Sequence, residues 1–167
     1  EYGLELILGD IINFLLIVLL SVCLQGVWTG LLYLLCFASV RIFSGGYHAR
    51  THMRCNLTMI VWYLLFSALN IFLTAADWKI LSVGTLMTYV PLIRYVPVPN
   101  ENRPLSQAMR RKCCGRAVIV YTVWVILAAL FTLFGVWGGT VIFSTLWMVS
   151  SNIVFAMVVR VYEGGER

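Results

Sequence analysis

A helix needs about 20 mostly apolar residues to cross a bilayer, and this 167-residue chain contains six stretches near that length. They run over Leu4–Leu24, Val27–Phe43, Leu57–Ala76, Ile80–Val96, Ala117–Val136 and Gly139–Val159. Only short loops and ends remain, so residues 1–167 are expected to form one integral-membrane domain. The stretches are continuously apolar rather than alternating, which argues against a β-barrel. Val27–Phe43 and Ile80–Val96 sit at the short end of the spanning range. The expected fold is therefore all-α and polytopic, with about six hydrophobic helices, either all spanning or four spanning and two re-entrant. Hydrophobic residues make up 61% of the chain and charged residues 11%, against about 45–50% and 25% in soluble domains. A soluble enzyme, a disordered tail and a nucleic-acid module are all excluded, because the apolar surplus must face lipid or a large partner.

The basic residues set the expected orientation. Eleven of the twelve lie on one side of the spans: Arg41, Arg50 and Arg54; Arg94, Arg103, Arg110, Arg111, Lys112 and Arg116; and Arg160 and Arg167. Lys79 alone falls on the other side. The positive-inside rule then puts both termini and the even-numbered loops in the cytoplasm. Trp28, Trp78 and Trp137 fall at outer span ends, where interfacial anchors belong. The net charge of +5 is this cytoplasmic excess, attracted to anionic headgroups, and needs no nucleic acid. Leu4–Leu24 has Glu1 and Glu5 where a signal peptide has basic residues, so it is expected to be a retained span. Cys23 and Cys36 read as apolar packing residues. Cys55, Cys113 and Cys114 fall in cytoplasmic loops, where thiols stay reduced.

Chemistry concentrates between the second and third stretches. The segment from Arg41 to Cys55 holds Gly45, Gly46, His48, Arg50, His52 and Arg54, and the chain has no other histidine. Polar groups at the hydrocarbon edge are costly and so are functional candidates. Thiolate is the reactive form of cysteine and nearby cations stabilise it; Arg50 and Arg54 supply positive charge beside Cys55. A histidine base completes a Cys–His dyad able to attack acyl groups. On one straight helix His48 and Cys55 would share a face but lie about 10 Å apart, beyond hydrogen-bond reach, whereas His52 is closer. Gly45 and Gly46 permit the bend that His48 would require. Zinc is the rival reading, since His48, His52 and Cys55 are spaced i, i+4, i+7. However, position 49 is Ala and no carboxylate occurs between Asp10 and Asp77, so a hydrolytic zinc would lack its usual base. We expect no metal and no cofactor.

The pattern Arg41-x4-Gly46-x-His48-x6-Cys55 resembles the signature of the accessory gene regulator B (AgrB) family of bacterial membrane cysteine endopeptidases. The block from Tyr95 through Pro97, Pro99, Arg103 and Pro104 to Arg110-Arg111-Lys112 is similar to that family's proline-rich loop and basic run. One departure is that few residues precede the first stretch. The resemblance implies Cys55 as nucleophile and His48 as base, with His52 a loop residue. It also implies a substrate, an AgrD-like pro-peptide with an amphipathic leader, a Cys-containing core and an acidic tail. Tail removal through an acyl-enzyme would then allow thiolactone formation in a quorum-sensing peptide. An oxyanion donor is required on electrostatic grounds, and the Gly46 N–H and Arg41 are the candidates. Arg110, Arg111 and Lys112 are expected to hold the acidic tail, two of them at most on one helical face. A homodimer in the bilayer is expected. The alternatives from other classes are a small six-span transporter or peptide exporter without covalent chemistry, and a non-catalytic membrane scaffold.

Overall fold

The computed structural model describes residues 2–46, 52–74, 78–98 and 106–165, except the side chains of residues 2–8, 10, 52–54, 74, 78, 79, 82 and 163–165. These residues form six helices: α1 (Tyr2–Leu24), α2 (Val27–Ser44), α3 (His52–Thr74), α4 (Trp78–Tyr95), α5 (Gln107–Leu133) and α6 (Gly138–Gly165). The chain is an all-α, polytopic membrane protein. Among the described residues four helices are long and apolar enough to cross a bilayer: α2, α3 over Cys55–Leu73, α5, and α6 over Gly138–Tyr162. The second stretch thus belongs with the full-length spans rather than with the re-entrant candidates. The fourth carries Thr85, Thr88 and Pro91 among its apolar residues.

The central helix is α6. It packs against α2, α3, α4 and α5, while α1 packs mainly against α2 and α3. Of the apolar window of α6, 61% is buried, against 17% in α5. Small residues allow this close approach. At Gly84 of α4, a Cβ would overlap the Trp147 ring of α6. At Gly139, a Cβ would lie 2.9 Å from the backbone nitrogen of Thr132. The core between α2 and α3 is aromatic, with the Tyr33 ring 4.4 Å from Phe66 and 5.2 Å, edge-on, from Tyr63. Around this core the outer faces remain apolar. Leu15, Leu35, Phe72, Met87, Ile126 and Val158 are all exposed, one from each helix. Such a continuous apolar surface suits lipid and far exceeds the patches tolerated in water.

With no hydrophobic driving force between helices in lipid, polar side chains join them. Trp124 Nε1 donates to Ser39 Oγ at 2.8 Å, linking α5 to α2. Trp147 Nε1 donates to Thr85 Oγ1 at 3.2 Å, linking α6 to α4. Thr88 bonds Tyr121, and Ser150 Oγ donates to the Thr88 carbonyl at 3.1 Å. Near the α1–α2 turn, Gln25 Nε2 donates to the Ser67 carbonyl at 2.7 Å, and Asn70 Nδ2 donates to Gln25 Oε1 at 2.9 Å. Ser144 Oγ donates to Asn70 Oδ1 at 3.2 Å. That turn pivots on Gly26, whose φ of 90° suits a residue without a Cβ.

The sequence boundaries move most where polar residues adjoin an apolar run. Helix α5 starts at Gln107, ten residues before its apolar part, because Ser106 caps it by accepting from the Met109 N–H at 3.3 Å. Cys113 and Cys114 are therefore helical rather than loop residues. Helix α3 likewise starts at His52, so His52 and Cys55 are both in a helix and not in a loop. Cys36 is buried as expected, but Cys23 is exposed, because α1 flanks the bundle instead of entering it.

Candidate active site

Four chain segments converge at the basic end of the bundle. The first is the C-terminus of α2. Gly45 ends the helix with φ of 70°, and its N–H donates to the Arg41 carbonyl at 2.9 Å. The second is the start of the proline-rich block. The Val98 N–H donates to the buried Ser44 carbonyl at 2.9 Å, and a Cβ on Gly45 would come within 3.2 Å of the Val98 carbonyl oxygen. Val96 and Val98 are buried in this contact. Thus the start of the proline-rich block docks directly onto the end of α2.

The third segment is the first turn of α3, which carries Cys55. This cysteine is half-buried and forms no disulfide. Cys55 thus stands among the unpaired N–H groups of a helix N-terminus. Met59 lies one turn further along and shares that helix face. Arg41 Nη1 donates to Met59 Sδ at 2.9 Å, so Arg41 bridges the end of α2 to the Cys55 face of α3. Its guanidinium also lies 5.6 Å from the centre of the Phe37 ring.

The fourth segment is α6, which contributes Asn152. This carboxamide is 2% exposed, and its Oδ1 occupies the space that a Cβ on Gly46 would need. Arg41 Nε is 3.7 Å from the same point. Asn152 was not among the residues singled out from sequence. The one signal there was a lone carboxamide within the sixth apolar stretch.

The structure therefore brings together Arg41, Gly46 and the Cys55 turn. His48 and Arg50 lie outside the described residues, as do the side chains of His52 and Arg54. Among the described residues no group of three or more His, Cys, Asp or Glu is placed to hold a metal ion. Arg110, Arg111 and Lys112 are exposed in the first turns of α5. One basic residue beyond this run is brought to the site: the Arg116 guanidinium lies 6.0 Å from the centre of the Phe43 ring, in the last turn of α2. Trp28 and Trp137 are exposed at the opposite end. There they line a cavity of about 680 Å³ with Gln25 and Asn70, remote from every candidate residue.

A multi-pass helical membrane protein with an accessible cysteine at its basic end is the class that these features define. The chain belongs to the accessory gene regulator B family, whose family model matches residues 1–151. It is similar to a Clostridium beijerinckii protein described as AgrB-like, with 25% identity over 127 residues. The match covers 76% of this chain and 63% of that relative, so the chain spans less than two thirds of the relative's length. No solved structure matches the chain.

Proposed function

We propose that this protein is a membrane-embedded cysteine endopeptidase that removes the acidic C-terminal tail of an AgrD-like pro-peptide. The observation that carries this reading is the position of Cys55, half-buried in the first turn of α3 and one turn from the residue that Arg41 binds. In the reaction, the Cys55 sulfur attacks the carbonyl at the end of the peptide core while His48 takes the thiol proton. The carbon–nitrogen bond to the tail breaks, and His48 returns the proton to the departing amine. A thioester remains on Cys55. The peptide's own cysteine then displaces Cys55 by thioester exchange, closing a thiolactone and releasing the free enzyme.

The basic end faces the cytoplasm in this reading, because eleven of the twelve basic residues lie on that side of the sequence and such residues are retained inside. The acidic tail is held at the Arg110, Arg111 and Lys112 run, chiefly by Lys112 together with Arg116 four residues on, and the enzyme works as a homodimer in the plasma membrane. The product is the cyclic peptide of a quorum-sensing circuit. The test uses purified protein in liposomes with a synthetic pro-peptide, and follows tail release. Cys55→Ala and His48→Ala should each abolish release while the protein still inserts, whereas His52→Ala, Cys113→Ala and Cys114→Ala should retain it. Release by Cys55→Ala at near the wild-type rate would remove the peptidase assignment.

A further inference from the structure

A buried carboxamide in a bilayer-spanning helix is costly unless it has a specific task. The buried hydroxyls of α6 have theirs within the helix or across to α3 and α4. Ser144 and Thr145 donate to carbonyls one turn back, at 2.8 and 2.7 Å, and Ser150 donates to the Thr88 carbonyl of α4. Asn152 points its Oδ1 at the end of α2, into the volume beside the Gly46 Cα. There it meets the residue that stands two positions before His48 and shares a space within 4 Å with Arg41 Nε. Arg41 is in turn the side chain that reaches the Cys55 face of α3.

We infer that Asn152 is a positioning residue for the peptidase reaction, the stop on α6 against which the Gly45–Gly46 turn is seated. The inference rests on the proposed Cys55–His48 chemistry. Glycine suits position 46 on two counts, since the carboxamide fills the place of a Cβ and the backbone has φ of 159°. The seated turn fixes where the chain leaves α2 toward His48 and where Arg41 meets α3. Asn152 acts through these groups, so its loss should lower the rate of the bound complex more than it weakens peptide binding. Proximity and orientation govern that rate steeply, and a misplacement of about 1 Å costs on the order of a hundredfold.

The experiment measures tail release against concentration of a synthetic pro-peptide, with full-length protein in liposomes, for four proteins: wild type, Asn152→Ala, Gly46→Ala and the double variant. Asn152→Ala should lower the maximal rate at least tenfold and change the half-saturating peptide concentration less than threefold. Gly46→Ala alone should be nearly inactive, because its Cβ meets Oδ1. The double variant should be at least fivefold faster than Gly46→Ala, because the overlap is gone. Losses that simply multiply, or a full rate for Asn152→Ala, would overturn the inference. If Asn152→Ala does not insert, Asn152→Ser paired with Gly46→Ala carries the same comparison. A parallel Cys55→Ala arm separates the two levels. An inactive Cys55→Ala with no coupling between positions 46 and 152 overturns only the role of Asn152, whereas an active Cys55→Ala overturns the peptidase reading beneath it.

Discussion

In the proposed reaction the acidic tail of the pro-peptide meets one face of α5, the face that carries Arg116 toward the end of α2. Successive helical residues turn by about 100°. Relative to Arg116, which leans over the Phe43 ring of α2, Lys112 lies about 40° away, whereas Arg110 and Arg111 lie about 120° and 140° away on opposite sides. Lys112 and Arg116 are thus i, i+4 neighbours on the face turned toward the end of α2, and they are the pair to remove. Both are exposed, and exposed ion pairs contribute only about 0–1 kcal/mol each. Together they should account for roughly a tenfold change in half-saturating peptide concentration, since about 1.4 kcal/mol is a factor of ten. Lys112→Gln with Arg116→Gln should therefore raise that concentration about tenfold and leave the maximal rate of tail release within about twofold. Arg111→Gln should shift it less than twofold. The effect should shrink as salt is added, because charges are screened beyond about 8 Å at physiological ionic strength. The assay is tail release against peptide concentration at two salt levels, after insertion is confirmed. An equal effect from Arg111→Gln, or a dependence that ignores salt, would refute the reasoning.

Three further outcomes are expected. Gly84→Ala places a Cβ in the Trp147 ring and should lower stability by about 1–3 kcal/mol, as overpacking does; thermal unfolding in detergent checks it, and an unchanged midpoint would contradict the α4–α6 packing. Asn70→Ala removes the bonds to Gln25 and from Ser144 and should cost about 1 kcal/mol, given about 0.6 for each interhelical bond in lipid; the same melting experiment reads it, with Asn70→Asp as comparison. Single cysteines placed at position 112 or 137, with the native cysteines replaced, should respond oppositely to an impermeant thiol reagent added to intact cells. Labelling at 137 and protection at 112 is the expected pattern, and the reverse would invert the proposed orientation.

Hydropathy alone placed all six helices, because a run of apolar residues in a chain with so few charges has no alternative to lipid. It failed where polar residues are helical. Gln107–Arg116 and His52–Asn56 carry no apolar signal, yet the first is capped by Ser106 and both continue into spans. For Cys55 the difference matters, because a helix N-terminus is a different chemical setting from a loop. Arg41, Gly46 and Cys55 stood out as unusual residues near a span boundary, but their connections did not. That Arg41 reaches Met59, that Val98 docks on Ser44, and that Gly46 abuts Asn152 are all contacts between distant segments. Asn152 lies 106 positions from Gly46 in the chain, and no spacing rule joins residues so far apart. Arg116 was legible only as one more cytoplasmic charge until α5 brought it over Phe43.

The central claim is covalent, and intact-mass spectrometry tests it directly. Wild-type protein in liposomes is mixed with synthetic pro-peptide whose core cysteine is replaced by alanine, so that thioester exchange cannot release the product, and is quenched in acid during the first turnover. The account predicts an adduct on Cys55 equal to the peptide without its tail, less one water, that hydroxylamine removes and that Cys55→Ala never forms. Tail release with no such adduct, or an adduct that persists in Cys55→Ala, would contradict it.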